Sequence, residues 1–363
     1  MSKRIATILA PMDLDAAGTK VIDIKIKDAI SRIEMFWRVT NVTVSAMLDA
    51  VTACISKIEL VDGSEILASV SGAQLQAINF YDRKVMPLHK ISLTVGGYFE
   101  AGLSLDFGRF LWDALYAFQP SRFANPQLKI TWDEDACNTA AVVNQFSVHA
   151  YVDDASGVGN GGMLVNREIK SIAMAASTHD YTDLPVDRPL RKIIVRGLTD
   201  DVEPIALFSN FKLSIDNDKA IPFDIAALEL EKLLENIYPR ILEKYTLDAV
   251  ATAKTIYAAL AAIQHVNIAY DATAFVTASS KFALPTITGY KIALAASVDI
   301  KALTADISGK HPGSCFPIDF GEPNDPATWL PINLVGSHVL DVTMSASAGS
   351  DDTMSLVVQQ LRK

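Results

Sequence analysis

The feature that most constrains this fold is a strand–turn–strand–helix unit that occurs twice. In the first copy, Cys54–Arg83, two apolar runs flank Asp62-Gly63, and a helical stripe begins at Gly72. An Asp-Gly pair between extended apolar runs is typical of a tight hairpin, because both turn positions adopt positive φ. In the second copy, Leu207–Arg240, an alternating run leads to Asp216-Asn217-Asp218 and then to another helical stripe.

Two further features support a duplicated unit. Leu60 and Leu213 take matching places in the two hairpins, which should therefore occupy equivalent strands. Downstream, Asp106-Phe107-Gly108 is echoed by Asp319-Phe320-Gly321, each followed by a tryptophan. We expect both triplets at equivalent strand ends, with Phe107 and Phe320 buried.

The remaining pattern is that of short strands separated by turns. The first half has strand-like segments at Val21–Lys27, Ile33–Val39, the two arms of Cys54–Val70, Ile91–Val95, Leu103–Phe107, Leu128–Trp132 and Phe146–Val152. The second half has them at Ile169–Ala175, Leu190–Gly197, Phe211–Ile215, Tyr290–Val298, Phe316–Phe320, His338–Met344 and Met354–Leu361. This spacing is typical of all-β sandwiches.

The predicted organisation is mainly β: two tandem eight-stranded antiparallel jelly rolls with short helices. The helical stripe from Leu228 runs to Leu242, interrupted near Pro239, and an alanine-rich helix is predicted over Ala249–Ile263. The predicted parts are an irregular arm at 1–18, a first roll at 19–152, a linker at 153–166, and a second roll at 167–363 that carries a helical insertion at about 247–284. We expect this insertion to be dispensable for folding.

Composition excludes some functions. The chain has 32 Lys and Arg against 42 Asp and Glu, a net charge of −10, which disfavours a protein that coats nucleic acid. No apolar run approaches the length of a membrane span. The three cysteines, Cys54, Cys137 and Cys315, are odd in number and far apart, which favours a reducing compartment without disulfides.

No catalytic or cofactor-binding residue is predicted. The histidines form no zinc motif, and they lie at His89, His149, His179, His265, His311 and His338. Gly157, Gly159 and Gly162 match a dinucleotide-binding spacing, but their polar context indicates a linker. The Asp-Phe-Gly triplets lack the other kinase motifs.

Clusters of carboxylates in loops leave open whether the protein binds a metal ion. Hard cations such as calcium bind loop oxygens of this type, although none of the clusters has EF-hand spacing. The clusters are Asp133-Glu134-Asp135, Asp153-Asp154, Asp200-Asp201, Asp216 with Asp218, and Asp351-Asp352. Solvated turns are the simpler interpretation of each.

The chain resembles the double jelly-roll viral major capsid proteins, and in particular the corticovirus-type coat protein of membrane-containing bacteriophages. The resemblance covers most of residues 16–245. It is carried by Ala16-Ala17-Gly18 before Val21–Lys27, Ile58–Gly63, Leu128–Asp135, Tyr181–Pro189 leading to Leu190–Val195, and Phe211–Asp216 with Leu228–Leu234 behind it.

This resemblance implies a coat protein whose homotrimers mimic hexagons in an icosahedral virion shell over an internal membrane. The implied partners are neighbouring capsomers, penton proteins, minor membrane-associated virion proteins and, peripherally, the membrane itself, with no sequence-specific nucleic-acid binding. The implied location is the virion, assembled in the host cytoplasm. No cofactor is required, and calcium is the ion that the resemblance leaves open.

The sequence leaves open two alternatives to a coat protein. A β-sandwich binding or adhesion module for carbohydrate or a receptor would need exposed aromatic platforms, whereas Trp37, Trp112, Trp132 and Trp329 lie in or beside predicted strands. A cupin-like enzyme would need clustered histidines.

Overall fold

The structure is a computed structural model that describes residues 2–41, 47–94, 96–137, 141–199, 202–248, 254–272, 286–288, 290–294, 300–331 and 336–363. The described strands form two eight-stranded sheets, one four-stranded sheet and one three-stranded sheet. Within the described residues, two α-helices lie between strands of these sheets.

The first half forms a jelly roll. Its elements are β1 (Lys3–Leu14), β2 (Ala17–Asp23), β3 (Ala29–Asn41), β4 (Ile55–Asp62), β5 (Glu65–Val70), α1 (Gly72–Arg83), β6 (His89–Leu93), β7 (Tyr98–Asp106), β8 (Pro126–Asp133) and β9 (Ala141–Asp153). One side has the strand order β1-β9-β3-β7 and the other has β2-β8-β4-β5. This interleaved order is the jelly-roll arrangement.

The second half repeats this order. Its elements are β10 (Met163–Ala173), β11 (His179–Asp183), β12 (Leu190–Leu198), β13 (Phe208–Ile215), β14 (Ala220–Ala226), α2 (Ala227–Ile237), β15 (Ile241–Asp248), β16 (Lys254–Tyr257), β17 (Leu260–Ala272), β18 (Thr286–Thr288), β19 (Lys291–Leu294), β20 (Ile300–Pro312), β21 (Cys315–Asp319), β22 (His338–Met344) and β23 (Thr353–Arg362). The orders are β10-β23-β12-β21 and β11-β22-β13-β14, strand for strand those of the first roll. The prediction of a double jelly roll is confirmed.

The duplicated hairpins occupy equivalent strands, as predicted. Leu60 in β4 and Leu213 in β13 are both fully buried, and each strand is third in its four-strand order. Gly63 takes a φ of 59° at the first turn, and Asp216, Asn217 and Asp218 take 55°, 57° and 64° at the second. The chain therefore reverses direction at both turns through residues in the left-handed conformation, but the residues differ between the two turns.

The Asp-Phe-Gly triplets also fall where the echo predicts. The first straddles the end of β7 and the second the end of β21, which are equivalent strands. Phe107 and Phe320 are 2% and 7% exposed, so both phenylalanines are buried.

The two rolls are joined edge to edge. β5 pairs in parallel with β10 at Ser69 and Arg167. β6 pairs in parallel with β15, with Tyr245 opposite Ile91. One eight-stranded sheet therefore continues from β5 of the first roll into β10-β23-β12-β21 of the second, and the other continues into β15, β20 and β17. Buried side chains of β15, β17 and β20 belong to the same apolar cluster as the first roll.

Helix α1 is held at this junction. Ser71 caps it by a reciprocal capping box with Gln74, and Lys84 ends it in a left-handed conformation. A Cβ on Gly72 would lie 2.7 Å from the carbonyl oxygen of Thr52, so only glycine allows the helix to start this close to the sheet. On the far side, the Tyr81 hydroxyl donates to the carbonyl of Cys315, 2.7 Å away.

The prediction of an irregular arm at 1–18 is wrong. Residues 3–14 form β1, which pairs with β9 along its whole length, and the chain enters β2 at Ala17. β1 is the outermost strand of its sheet, where the missing N–H of Pro11 costs no ladder hydrogen bond. β2 ends at Asp23, earlier than the Val21–Lys27 pattern indicates, although Ile24 beyond it is still buried.

The predicted helical insertion is also wrong wherever the structure describes it. Of the helix predicted over Ala249–Ile263, residues 249–253 lie outside the described residues, and the rest forms β16 and the start of β17. Ile256 and Leu260 are completely buried. Alanine favours helices in isolation, but pairing of β17 with β20 outweighs that propensity here. The expectation that this stretch is dispensable loses its basis.

Two element boundaries differ from the sequence prediction. α2 ends at Ile237 because Pro239 cannot continue a helix, and Leu242 instead lies in β15. β10 begins at Met163, so residues 163–166 of the predicted linker belong to a strand.

Candidate functional site

A charged cleft lies where the two rolls meet, and we call it the inter-roll cleft. It encloses about 540 Å³ between the last turn of α1, the ends of β7 and β21, and the segment after α2. Its charged lining residues are Arg32, Asp82, Arg83, Lys84, Asp106, Arg109, Arg191, Lys192 and Asp319.

Each roll contributes the same cation–aspartate pair to this cleft. Arg32 of β3 lies opposite Asp106 of β7, and its Nε is 2.5 Å from Asp106 Oδ1. In the second roll, Lys192 of β12 lies opposite Asp319 of β21, with 3.3 Å between Nζ and Oδ1. The two aspartates are the first residues of the repeated Asp-Phe-Gly triplets, so the repeat delivers both carboxylates to one place.

Sequence reasoning found the aspartates as an echo but missed their cations. A signal was available, because Arg32-Ile33 and Lys192-Ile193 both place a cation just before a buried isoleucine near the start of the strand. This signal can be used only if β3 is known to pair with β7 and β12 with β21, and neither dipeptide indicates that pairing by itself.

Asp82 connects the rolls through buried charges. Its carboxylate lies 3.0 Å from Arg191 Nη1 and 2.8 Å from Lys192 Nζ, and it accepts a hydrogen bond of 2.8 Å from Gln359. All three charged side chains are at most 7% exposed. Burial alone would raise the pKa of Asp82, but the adjacent charges of Arg191 and Lys192 lower it to about 2.

The first roll holds a second group of charges at the same cleft. Asp106 accepts from Arg32 on one oxygen and from Arg83 on the other, with Arg83 Nη2 at 2.6 Å. Arg109 is held by the buried Asp113 and donates to the carbonyl of Asn324 in the second roll, 2.8 Å away. These arginines are therefore fixed in place before any ligand arrives.

Two tyrosines close the floor of the cleft. The hydroxyl of Tyr238 donates to Asp319 Oδ2 at 2.6 Å, and its ring meets that of Tyr81 edge to face, with centroids 4.9 Å apart. Burial, reinforced by the nearby charge of Asp319, raises the pKa of Tyr238 well above its ordinary value. Both hydroxyls are therefore fixed donors rather than ionisable groups at neutral pH.

The loop carboxylates singled out from the sequence serve local roles where they are described. Asp133 and Asp153 accept from backbone N–H groups two residues on, and Asp352 accepts from Gly349. Asp216 pairs with Lys219 and Asp218 with Lys212. Asp200-Asp201 lies outside the described residues, and within those residues no three His, Cys, Asp or Glu side chains are placed to share a metal ion.

The other candidate motifs are separated in space. The loop containing Gly157, Gly159 and Gly162 leads into strand β10 and not into a helix, so the dinucleotide-binding context is missing. Trp37, Trp132 and Trp329 are at most 5% exposed and cannot act as binding platforms. Trp112 packs against Tyr151, with ring centroids 5.8 Å apart.

The prediction that the cysteines form no disulfide is wrong. Cys54 and Cys137 are bonded, with Cα atoms 5.5 Å apart, although 83 residues separate them in sequence. Cys54 directly precedes β4, and Cys137 follows β8, its antiparallel neighbour, so the start of one strand meets the end of the other. Cys315 is free and buried.

Exposed apolar side chains gather on and after α2. The inner side of this helix packs Ala227, Leu230 and Leu234 into the core of the second roll. The outer side chains Leu228, Leu233 and Ile237 and the nearby Leu242 are 48–80% exposed. We call these four residues the apolar α2 face, and exposed apolar clusters of this kind are typical of contact surfaces.

No protein-family model and no curated protein matches this chain. Its fold is similar to that of the STIV MCP, with 12% identity, a TM-score of 0.63, and 99% of this chain and 96% of that chain covered. It is also similar to the major capsid protein P2 from Bacteriophage PM2, with 10% identity, a TM-score of 0.56, and 99% and 98% covered. The PBCV-1 virus capsid gives 9% identity, a TM-score of 0.55, and 99% and 93% covered.

These similarities extend over the whole chain and confirm the predicted resemblance at the level of the fold, the double jelly roll of viral major capsid proteins. Among the described residues, no helix is long and apolar enough to cross a membrane.

Proposed function

We propose that this protein is a major capsid protein that builds the shell of a virion. The observation that supports this most strongly is the pair of rolls with identical strand order, joined through a shared eight-stranded sheet and similar in fold over 99% of the chain to major capsid proteins. The proposal assigns no catalytic residue. Its essential surfaces are those that contact other copies.

The proposed unit of assembly is a homotrimer. Two similar rolls per chain give six similar bodies per trimer, which is the shape needed to tile an icosahedral shell with hexagonal units. Closed rings of identical chains require heterologous contacts between different surface patches. The apolar α2 face is our candidate for one of these patches, because its four apolar side chains are 48–80% exposed.

The proposed partners are neighbouring capsomers, penton proteins and minor membrane-associated virion proteins. The proposed shell encloses an internal membrane, and its assembly takes place in the host cytoplasm. Calcium is proposed as an ion bound between loops or subunits, and chelation with EDTA should then lower the thermal stability of the assembled form.

The assembly proposal is tested by measuring native mass. Purified protein should give the mass of a trimer, or of a much larger particle, by light scattering and native mass spectrometry. A chain that stays monomeric at high concentration would contradict the proposal.

A pair of variants locates the contact. Leu242→Asp alters the apolar α2 face and should shift the mass towards monomer without changing the circular dichroism spectrum. Ile66→Asp is the matched control, since Ile66 is also an exposed strand residue, 46% accessible, but lies on β5 away from α2. Equal weakening by both variants would show that the contact is not specific to the α2 face.

A further inference from the structure

The lining of the inter-roll cleft carries more positive than negative charge. Six cationic side chains face three carboxylates. Outside the lining, Asp113 and Glu34 contact Arg109 and Arg32, and the charge of Asp325 acts on Arg109, so the surplus is confined to the lining itself. This surplus is notable in a chain whose net charge is −10.

The cations keep donors free for a ligand. Each arginine carries five N–H donors in a planar fork, and the partners of Arg32, Arg83 and Arg109 use only part of them. Lys84, at the mouth, is exposed and forms no ion pair with any described residue; its Nζ lies 5.7 Å from the centre of the Tyr238 ring. The side chains that line this space between the rolls therefore carry N–H donors beyond those used by the described protein acceptors.

The geometry suits an oxyanion. Fixed guanidinium groups recognise phosphate oxygens well, because two N–H groups can bind two oxygens at once. In a concave site with low-dielectric walls, the field of these charges is concentrated and less screened than at an open surface. The volume of about 540 Å³ admits more than one phosphate group.

We propose that the inter-roll cleft binds a small phosphate-type oxyanion, held by Arg83, Lys84 and Arg109 from the first roll with Arg191 and Lys192 of the second roll behind them. A ligand in this position contacts both halves of the chain at the ends of the repeated triplets. It therefore stabilises the arrangement of the two rolls relative to one another. This proposal does not depend on the capsid function.

Pyrophosphate is the probe for this site. The full-length protein is titrated by calorimetry, with ionic strength matched by sodium chloride, and its thermal midpoint is followed over the same range. We expect saturable binding with about one site per chain and a rise in the midpoint. Heat that does not saturate, or a midpoint that follows ionic strength alone, would overturn the proposal.

Two charge-reversal variants make the test specific. Lys84→Glu changes an exposed residue with no ion pair among the described residues and should weaken pyrophosphate binding at least tenfold, and the circular dichroism spectrum checks that the fold is retained. Lys25→Glu is the matched control, because Lys25 is also exposed but does not line the cleft. Equal losses in both variants would show that only overall charge matters, which would refute a site in the cleft.

Discussion

At the scale of single residues, the repeated triplets supply core contacts as well as cleft carboxylates. Phe107 is 2% exposed and its ring lies 5.1 Å from that of Phe118. Phe107→Ala should therefore lower the free energy of unfolding by roughly 3–5 kcal/mol, through lost burial and the cavity left behind. Urea denaturation monitored by fluorescence measures this change.

Phe110→Ala is the control for this prediction. Phe110 follows three residues later and is 54% exposed, so the same loss of a ring should have a small effect. If the two variants shift the denaturation midpoint equally, Phe107 is not a core residue.

Asp82 provides a second prediction, on pH dependence. The pKa of the Asp82 carboxyl is lowered to about 2 in the folded protein. The charged carboxylate therefore contributes its full stabilisation at pH values above the ordinary pKa that this aspartate has in the unfolded chain. That contribution is lost as the pH falls through the folded value. Asp82→Asn should cost about 2 kcal/mol at pH 7, and the difference from the unmodified protein should shrink between pH 4 and pH 2.

Denaturation at pH 7, 4, 3 and 2 checks this prediction. Asp351→Asn is the control, because Asp351 is exposed in a turn between β22 and β23 and should show no such trend. A constant difference between Asp82→Asn and the unmodified protein over this range would contradict the assignment of the buried charges.

At the scale of elements, the sequence predicts structure well where the signal is local. The hairpin turn at Gly63, the helix that begins at Gly72 and the strand at His338–Met344 each depend on a few neighbouring residues, and all three are found as predicted, although Asp62 itself ends β4 and only Gly63 takes a positive φ. Prediction fails where a distant partner decides. β1 is a strand because β9 lies beside it, and the alanine-rich segment becomes β17 because β20 pairs with it.

The same reasoning explains which parts of the candidate site could be foreseen. The aspartates at 106 and 319 could be predicted as an echo, because their triplets are contiguous. Lys192 could not, since its meeting with Asp82 brings together elements of different rolls that are more than a hundred residues apart. The disulfide was missed for the same reason, because Cys54 and Cys137 become neighbours only through the pairing of β4 and β8.

A third prediction tests whether the segment after α2 is part of the core. Leu260 in β17 is completely buried, so Leu260→Ala should reduce the free energy of unfolding by about 2–5 kcal/mol. Leu242→Ala in β15 is the matched control, because Leu242 is 80% exposed and also lies in the segment after α2. Chemical denaturation of both variants distinguishes them, and a Leu260→Ala protein as stable as its control would restore the view that this insertion is peripheral.

At the scale of the whole molecule, the rolls are held together by much more than the loop that connects them. Two strand pairings and the Asp82 charge group span the junction. Cleavage at a protease site inserted between Ser156 and Gly157, both exposed, should leave the two fragments bound to each other. They should elute together in size-exclusion chromatography and separate only in denaturant.

The uncleaved inserted protein serves as the control for any effect of the insertion itself. Fragments that elute separately in native buffer would show that the connecting loop is required to keep the rolls together.

The placing of both rolls on one polypeptide also has a consequence for inheritance. In a ring of identical single-roll proteins, a single codon would encode the cation that lies opposite the Asp-Phe-Gly aspartate. A mutation of that codon would therefore change this residue in every subunit of the ring. Here Arg32 and Lys192 are encoded separately. Arg32 pairs with Asp106 inside its own roll. Lys192 pairs with Asp319 inside its own roll and also with Asp82 across the junction. A single chain that encodes both rolls thus allows the two equivalent positions to carry different residues while the strand order stays the same.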